Sequence, residues 1–362
     1  MVATAPDLRH DVDEILPGVV ADRRHLHQNP ELGYQEVKTA AFVADRLRAL
    51  GVEDVRTGIA KTGVTGLIKG TGSGPGAGKV VLLRADMDAL PIQEQNEVDY
   101  HSTVPGTMHA CGHDAHTAML LGTTRLLLER RDRFAGTVKV LFQPAEEGGA
   151  GARVMIGEGV LDDPRVDAAF GIHVAQEEPV GTVSVRPGPM MAAADRFTIV
   201  VKGKGGHGAQ PHLCIDPIAV GAQLVTALQT IVSREVDPTE PAVVTVGAFR
   251  AGEAANVIPD TAELRGTVRS FNPAVREQLA TRIQELVRGV AAAMRAEVEI
   301  NYAPGYPPTV NDPAMTDFTL GVLAEVVGAD NVLPAPLHMS AEDFSYFLEA
   351  VPGCFWFVGS RN

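Results

Sequence analysis

Apolar and polar positions along the chain alternate between two periods. In "YQEVKTAAFVADRLRALG" the apolar residues recur at helical spacing, with Val43, Leu47 and Leu50 on one face and Gly51 as the C-terminal stop. "KTGVTGLIKG" reads as a strand, and "KVVLLRADMDALP" as a buried strand with acidic residues at its C-terminal end. Residues 112–130 form a predicted helix. "GTVKVLFQPAEEGGAG" repeats the strand-then-acid pattern, and "VDAAFGIHV" is an apolar strand ending at His173. Between them "TGSGPGAG" is a flexible turn; without a Gly-Lys-Ser/Thr ending it is no phosphate loop. Apolar strands alternating with helices imply a mainly parallel α/β sheet, in which ligands sit at the carboxyl ends of strands. Asp86, Asp88, Glu146, Glu147 and His173 all fall at such ends.

The order changes after about residue 190. "DRFTIVVKGKGG" is a strand, 216–235 a helix, "AVVTVGAF" and "TAELRGTVRSF" strands, 274–295 a long amphipathic helix and "AEVEINYAP" a strand. That is β-α-β-β-α-β, the ferredoxin-like order. The tail resumes the first pattern with a helix over 313–327, "VLPAPLHMSAEDFSYFLEAV" and the apolar strand "GCFWFVGS". The reading is an α/β domain over 1–188 and 304–362, interrupted by an α+β domain over 189–303.

Composition narrows this only at the margins. With 362 residues, 45% hydrophobic and 21% charged, the chain has ordinary globular content and room for two domains. A net charge of −14 argues against a nucleic-acid surface. The cysteines, Cys111, Cys214 and Cys354, are too few and odd in number for a disulfide framework, and Cys214 and Cys354 read as plain core residues. No basic-then-apolar leader and no run of about 18 apolar residues is seen, so a cytoplasmic protein is expected.

The chemistry is scattered. "MHACGHDAHTAML" puts Cys111 and His113 two residues apart, and a thiolate and an imidazole can share a metal. The spacing is not that of a closed structural zinc site. In "PAEEGG" the paired glutamates are either a solvated turn or a divided site, with Glu147 on a cation and Glu146 free to take a proton from water. His173 in "GIHV" and His338 in "LHMSAEDF" could each be a satisfied half-buried histidine. Together these residues supply Cys, His, Glu, His and His, enough for two bridged metals. A cysteine hydrolase using Cys111 and His113 would leave Glu146, Glu147, His173 and His338 without a role.

The ordered set "RADMDALP", "MHACGHDAHTAML", "PAEEGGAGA", "GIHV", "GGHGAQPH", "NVIPD", "RGTVRSF" and "MSAEDF" resembles the metal-dependent amidohydrolases related to aminoacylases and zinc carboxypeptidases. It is closest to the branch of hippurate hydrolases and hydrolases of indole-acetic-acid–amino-acid conjugates. The resemblance implies a two-metal α/β catalytic domain with an inserted lid that also dimerises. It makes Cys111, His113, Glu147, His173 and His338 the ligands of two divalent ions, zinc or manganese. Glu146 becomes general base and then acid, and Asp86 orients a ligand. His207 reaches the partner protomer's active site, and Asn256 contacts substrate. Arg265, with Arg269 as rival, would bind the substrate carboxylate. Related branches carry a metal-binding histidine where this chain has Arg84, and an aspartate bridge where it has Cys111. His109 and His116 are left to packing or to support of the ligands. The implied reaction is hydrolysis of an N-acyl amino acid, with a dipeptidase or carboxypeptidase of the same two-metal class as the alternative.

Overall fold

The computed structural model describes residues 5–361. Along the chain come helices α1 (Ala5–Gln28) and α2 (Val37–Leu50), then strands β1 (Glu53–Ile59), β2 (Gly63–Lys69) and β3 (Val80–Asp86). Helix α3 (His113–Glu129), strand β4 (Thr137–Gln143), the short helices α4 (Glu146–Gly149) and α5 (Gly151–Gly157), and strands β5 (Ala168–Pro179), β6 (Val183–Val185) and β7 (Gly188–Met191) follow. Next are β8 (Ala193–Lys202), β9 (Gly206–His207), α6 (Pro217–Thr230), β10 (Ala242–Ala251), β11 (Val257–Ile258), β12 (Thr261–Ser270), α7 (Pro273–Ala293) and β13 (Glu297–Tyr306). The chain closes with β14 (Thr309–Asn311), α8 (Pro313–Val327), β15 (Val332–Pro334), α9 (Ser345–Ala350) and β16 (Gly353–Arg361).

Two compact units result. The first comprises Met1–Met190, Val310–Pro336 and Asp343–Asn362, and the second Met191–Thr309 with Leu337–Glu342. The second unit extends past residue 303 because β13 pairs with β8 as far as Tyr306. It also takes in the segment that carries His338.

The first unit is built on an eight-stranded sheet in the order β1-β2-β4-β3-β5-β16-β6-β15. Parallel pairs are in the majority, with antiparallel ones among them. The pairs β4–β3, β3–β5, β5–β16 and β6–β15 are parallel, but β1–β2, β2–β4 and β16–β6 are antiparallel. The reason is local at the β1 edge. Ala60 and Lys61 adopt positive φ in a loop too short for a crossover, so β2 must fold back as a hairpin. The core joins Val43 and Leu47 of α2 and Leu121 of α3 to Val64, Ile68 and Phe142 of the sheet. A second cluster puts Leu323 of α8 on Phe170, Val183 and Cys354.

One departure from the sequence reading affects the site. Strand β5 does not end at His173 but runs on to Pro179, held by parallel pairing with β16, where His173 faces Phe357. Helix α1, a segment to which the sequence reading gave no element, runs unbroken through Pro17-Gly18. Its Val19 and Ile15 sit directly over Gly122 of α3, where a β-carbon would come within 2.7 Å of Val19. Tertiary packing thus overrides the local signal.

In the second unit the sheet order is β10-β12-β8-β13, every neighbour antiparallel. With α6 and α7 packed through Leu224, Leu228, Leu279 and Ile283 onto Phe197, Ile199 and Leu264, this is the ferredoxin-like arrangement. Helices α6, α7 and α8 start alike, with Asp216, Asn272 or Asp312 accepting a first-turn N–H ahead of a proline.

Candidate metal centre

Strands β3 and β5 run parallel with Arg84 opposite Gly171, so Asp86 and His173 lie two residues further on along each. Asp86 is also in register with Gln143 at the end of β4. The carboxyl ends of β3 and β4 thus meet beside His173, which lies within β5.

Helix α3 enters this edge through Gly112, whose φ is 86° and where an added β-carbon would come within 2.5 Å of Val174, leaving no room for a side chain. The turn sets Cys111 and His113 on one cluster. Cys111 Sγ lies 3.4 Å from His173 Nε2, and single ligand atoms of Cys111, His113 and His173 all fall within 4.8 Å of one another. The same holds for His113, Glu146 and Glu147. His113 therefore belongs to both groups.

The histidine tautomers fit cation binding. His113 Nδ1 is 2.9 Å from the Asp88 carbonyl oxygen, so it donates there and leaves Nε2 as the atom that a cation can take in the neutral ring. That Nε2 is buried and makes no hydrogen bond among the described residues. His173 likewise donates Nδ1–H to the Val174 carbonyl at 2.7 Å, turning Nε2 to Cys111. Burial, aided by His116, lowers the His173 pKa to about 3 and keeps the ring neutral, as a ligand must be. Burial opposes a charge on His113 too, but Asp86 and Asp88 outweigh it and raise its pKa well above 6.5. A proton there is what a cation would displace. Burial raises the Cys111 thiol, the reverse of the depression that marks a nucleophilic cysteine. A soft thiol, neutral imidazoles and carboxylates make a donor set suited to zinc-like ions.

Around these groups lies a fully hydrogen-bonded support. Val174 N–H donates to His116 Nε2 at 3.0 Å, so His116 donates Nδ1–H to Asp86 at 2.6 Å and has no lone pair left for a metal. Burial works against the Asp86 charge, yet Arg84, His113 and His116 hold its pKa well below the usual range. Arg84, wholly buried, pairs with Asp86 at 2.7 Å and Asp343 at 3.0 Å and donates to Gln143 at 2.9 Å.

The glutamate turn is pinned by carboxylates that the sequence reading left without a role. Ala145 is left-handed, and its N–H donates to Glu36 at 2.8 Å. Glu146 and Glu147 donate their N–H groups to the two Asp88 oxygens at 3.0 and 2.9 Å. Asp343 takes the Ala152 N–H at 3.0 Å, and its own N–H reaches Glu146 Oε1 at 3.3 Å. The second acid of "RADMD" is a signal for Asp88; a lone glutamate ahead of α2 gives none for Glu36. The outcome is a buried Glu146 beside an exposed Glu147.

The remaining sequence-predicted residues lie in the second unit. His207 and Asn256 meet where β9 pairs with β11; Gly208 N–H donates to the Asn256 carbonyl at 2.8 Å. Among the described residues no hydrogen bond or ion pair joins Arg265 to them. It is largely exposed on β12 and paired with Glu263 at 2.8 Å. Its rival Arg269 donates to the Met339 carbonyl at 3.1 Å, tying the segment that holds His338. That segment is fixed again where Ala192 N–H donates to the His338 and Ser340 carbonyls.

Fold and cluster define a metal-dependent hydrolase with an inserted α+β unit. A family model described as Peptidase family M20/M25/M40 matches residues 82–362, and the chain belongs to that family. It is 43% identical over 359 residues to thermostable carboxypeptidase 2 of Saccharolobus solfataricus, covering 98% of this chain and 89% of that one. It is 44% identical over 358 residues to IAA-amino acid hydrolase ILR1-like 4 of Arabidopsis thaliana, covering 98% and 79%. Among solved structures, the Bacillus subtilis YXEP protein, described as a dinuclear metal-binding peptidase of the M20 family, superposes with a TM-score of 0.82 at 39% identity, covering 96% and 90%. The protein is an amide-hydrolysing enzyme. No helix among the described residues is long and apolar enough to cross a membrane.

Proposed function

We propose that this enzyme hydrolyses the amide bond of N-acyl amino acids at a two-cation centre held by Cys111, His113, Glu147, His173 and His338. The observation that carries this is the divided glutamate pair, one exposed and within reach of His113, one buried beside it. Two divalent ions, zinc or manganese, supply Lewis-acid activation of water and of the amide carbonyl when bound.

The chain's own groups do the rest. Glu146 takes the proton of the attacking water and returns it to the departing amine. Its position is set by the Asp88–N–H bond behind it and by the Asp343 N–H at its carboxylate. Asp86, kept ionised by Arg84, fixes His116 and the site's charge. His207 polarises the carbonyl across a homodimer, and Asn256 and Arg265 bind the amino-acid end. The enzyme works in the cytoplasm on a small-molecule substrate, without nucleic acid or membrane.

The carboxypeptidase relative favours a second reading, cleavage of peptides at the same centre. A panel of hippurate, N-acetyl amino acids, indole-acetyl amino acids and dipeptides on the metal-reconstituted full chain decides. Higher kcat/KM on the N-acyl substrates supports the proposal; turnover of dipeptides alone overturns it.

A further inference from the structure

The first unit contains a cavity of about 860 Å³ that opens onto Cys111 and His173. Three of its charged or titratable side chains are tied to carboxylates or to one another. His27 lies between Asp114 (2.8 Å) and Glu94 (3.1 Å), and Arg23 pairs with Asp114 at 2.8 Å. Glu94 also accepts the Ser102 N–H. The two cationic side chains of the lining, Arg23 and His27, are both already on Asp114, and the lining carboxylates of Glu94 and Glu177 repel a substrate carboxylate, so the part of the substrate that enters here is the uncharged, acyl part.

Two other polar groups on the same wall are unmatched. His109 is 4% exposed, and neither ring nitrogen has a hydrogen-bond partner among the described residues. Ser360 on β16, whose Oγ is also buried without a partner, lines the same cavity. A buried donor or acceptor left unmade is costly, and a site that keeps such groups is suited to a ligand that completes them.

Resting on the N-acyl amino acid reading above, we propose that His109 and Ser360 select an acyl group bearing a neutral hydrogen-bonding substituent, a hydroxyl or a carboxamide. An isosteric apolar acyl group leaves both side chains unsatisfied in the closed complex and is hydrolysed less efficiently.

The test compares benzoyl-, 3-hydroxybenzoyl-, 4-hydroxybenzoyl- and 4-carbamoylbenzoyl-glycine on the metal-reconstituted full chain. At least one polar-substituted substrate exceeds benzoylglycine fivefold or more in kcat/KM, and this advantage shrinks at least threefold in His109→Phe or Ser360→Ala. A smaller advantage in the wild type, or one that both variants keep, overturns the proposal while leaving N-acyl hydrolysis standing. Hydrolysis of none of the four, nor of the wider N-acyl panel, overturns the underlying reading and this one with it. Metal content is measured throughout; if His109→Phe loses metal, Ser360→Ala alone decides.

Discussion

Asp88 Oδ2 accepts the backbone N–H of Glu147 at 2.9 Å, while its backbone carbonyl accepts from His113 Nδ1 at the same distance. One residue therefore fixes two proposed ligands that lie far apart in sequence, and its other oxygen fixes Glu146. Asp88→Asn keeps the backbone contact to His113 but turns an NH2 group against one of the glutamate N–H donors. Loss of support around metal ligands typically costs about 10–100-fold in metal affinity or activity. We expect a folded variant with kcat/KM reduced in that range, read together with metal content by elemental analysis. Wild-type values for both would show that the turn holds itself.

Glu146→Gln retains size and hydrogen bonding but cannot take a proton. Turnover should fall about 10²–10⁴-fold, the usual share of a general acid–base group, with both metals bound and KM little changed. Near-wild-type kcat would remove Glu146 from the chemistry.

How far the sequence spoke for itself differs from residue to residue. The ferredoxin-like unit was readable because its strands and helices keep clean periods and its helices carry Asx-Pro starts at Asp216 and Asn272. Cys111, His113, Glu147 and His173 stand out in the sequence by residue type, and the structure groups Cys111 and His173 with His113, and Glu147 with His113. Helix α1 was not readable, since Pro17-Gly18 marks a turn locally and only packing against Gly122 keeps it helical. Glu36 and Asp343 were hidden for another reason. They act through backbone N–H groups of Ala145 and Ala152, more than a hundred residues away in sequence, and no local pattern encodes that pairing.

Arg84 is the hinge of the buried charge network, with carboxylates of Asp86 and Asp343 on either side. Arg84→Met takes the arginine cation from two buried carboxylates, and breaking such a network by removing one partner costs about 3–5 kcal/mol. Calorimetry should show a matching loss of stability, larger than that from Arg265→Met, whose arginine is largely solvent-exposed. Equal losses would mean that the buried pairs are compensated by other groups.

Chelation separates metal chemistry from cysteine chemistry. Incubation with EDTA should abolish hydrolysis, and zinc or manganese should restore it. Burial keeps Cys111 protonated in the free protein, so iodoacetamide should react slowly and block metal reloading when it does. Hydrolysis that survives full metal removal but not alkylation would favour the thiol as nucleophile.

Acid stability of the second unit should depend on Asp195. This carboxylate is 1% exposed and accepts from Arg276 Nε at 3.0 Å, Tyr302 hydroxyl at 2.8 Å and Gly305 N–H at 2.9 Å. Burial opposes its charge, but these donors outweigh burial and lower its pKa below the usual 3.8. A folded pKa below the unfolded one means that the stabilisation is complete above about pH 4. It is lost as pH falls through the folded value, because the unfolded state then binds the proton first. Asp195→Asn should lower Tm at pH 7 through loss of about 3 kcal/mol, leaving Arg276 without its anion. The Tm gap between wild type and variant should narrow as pH drops below about 4. A gap of constant size from pH 7 to pH 3 would show that shape and hydrogen bonding, rather than the charge of Asp195, hold β8, α7 and β13 together.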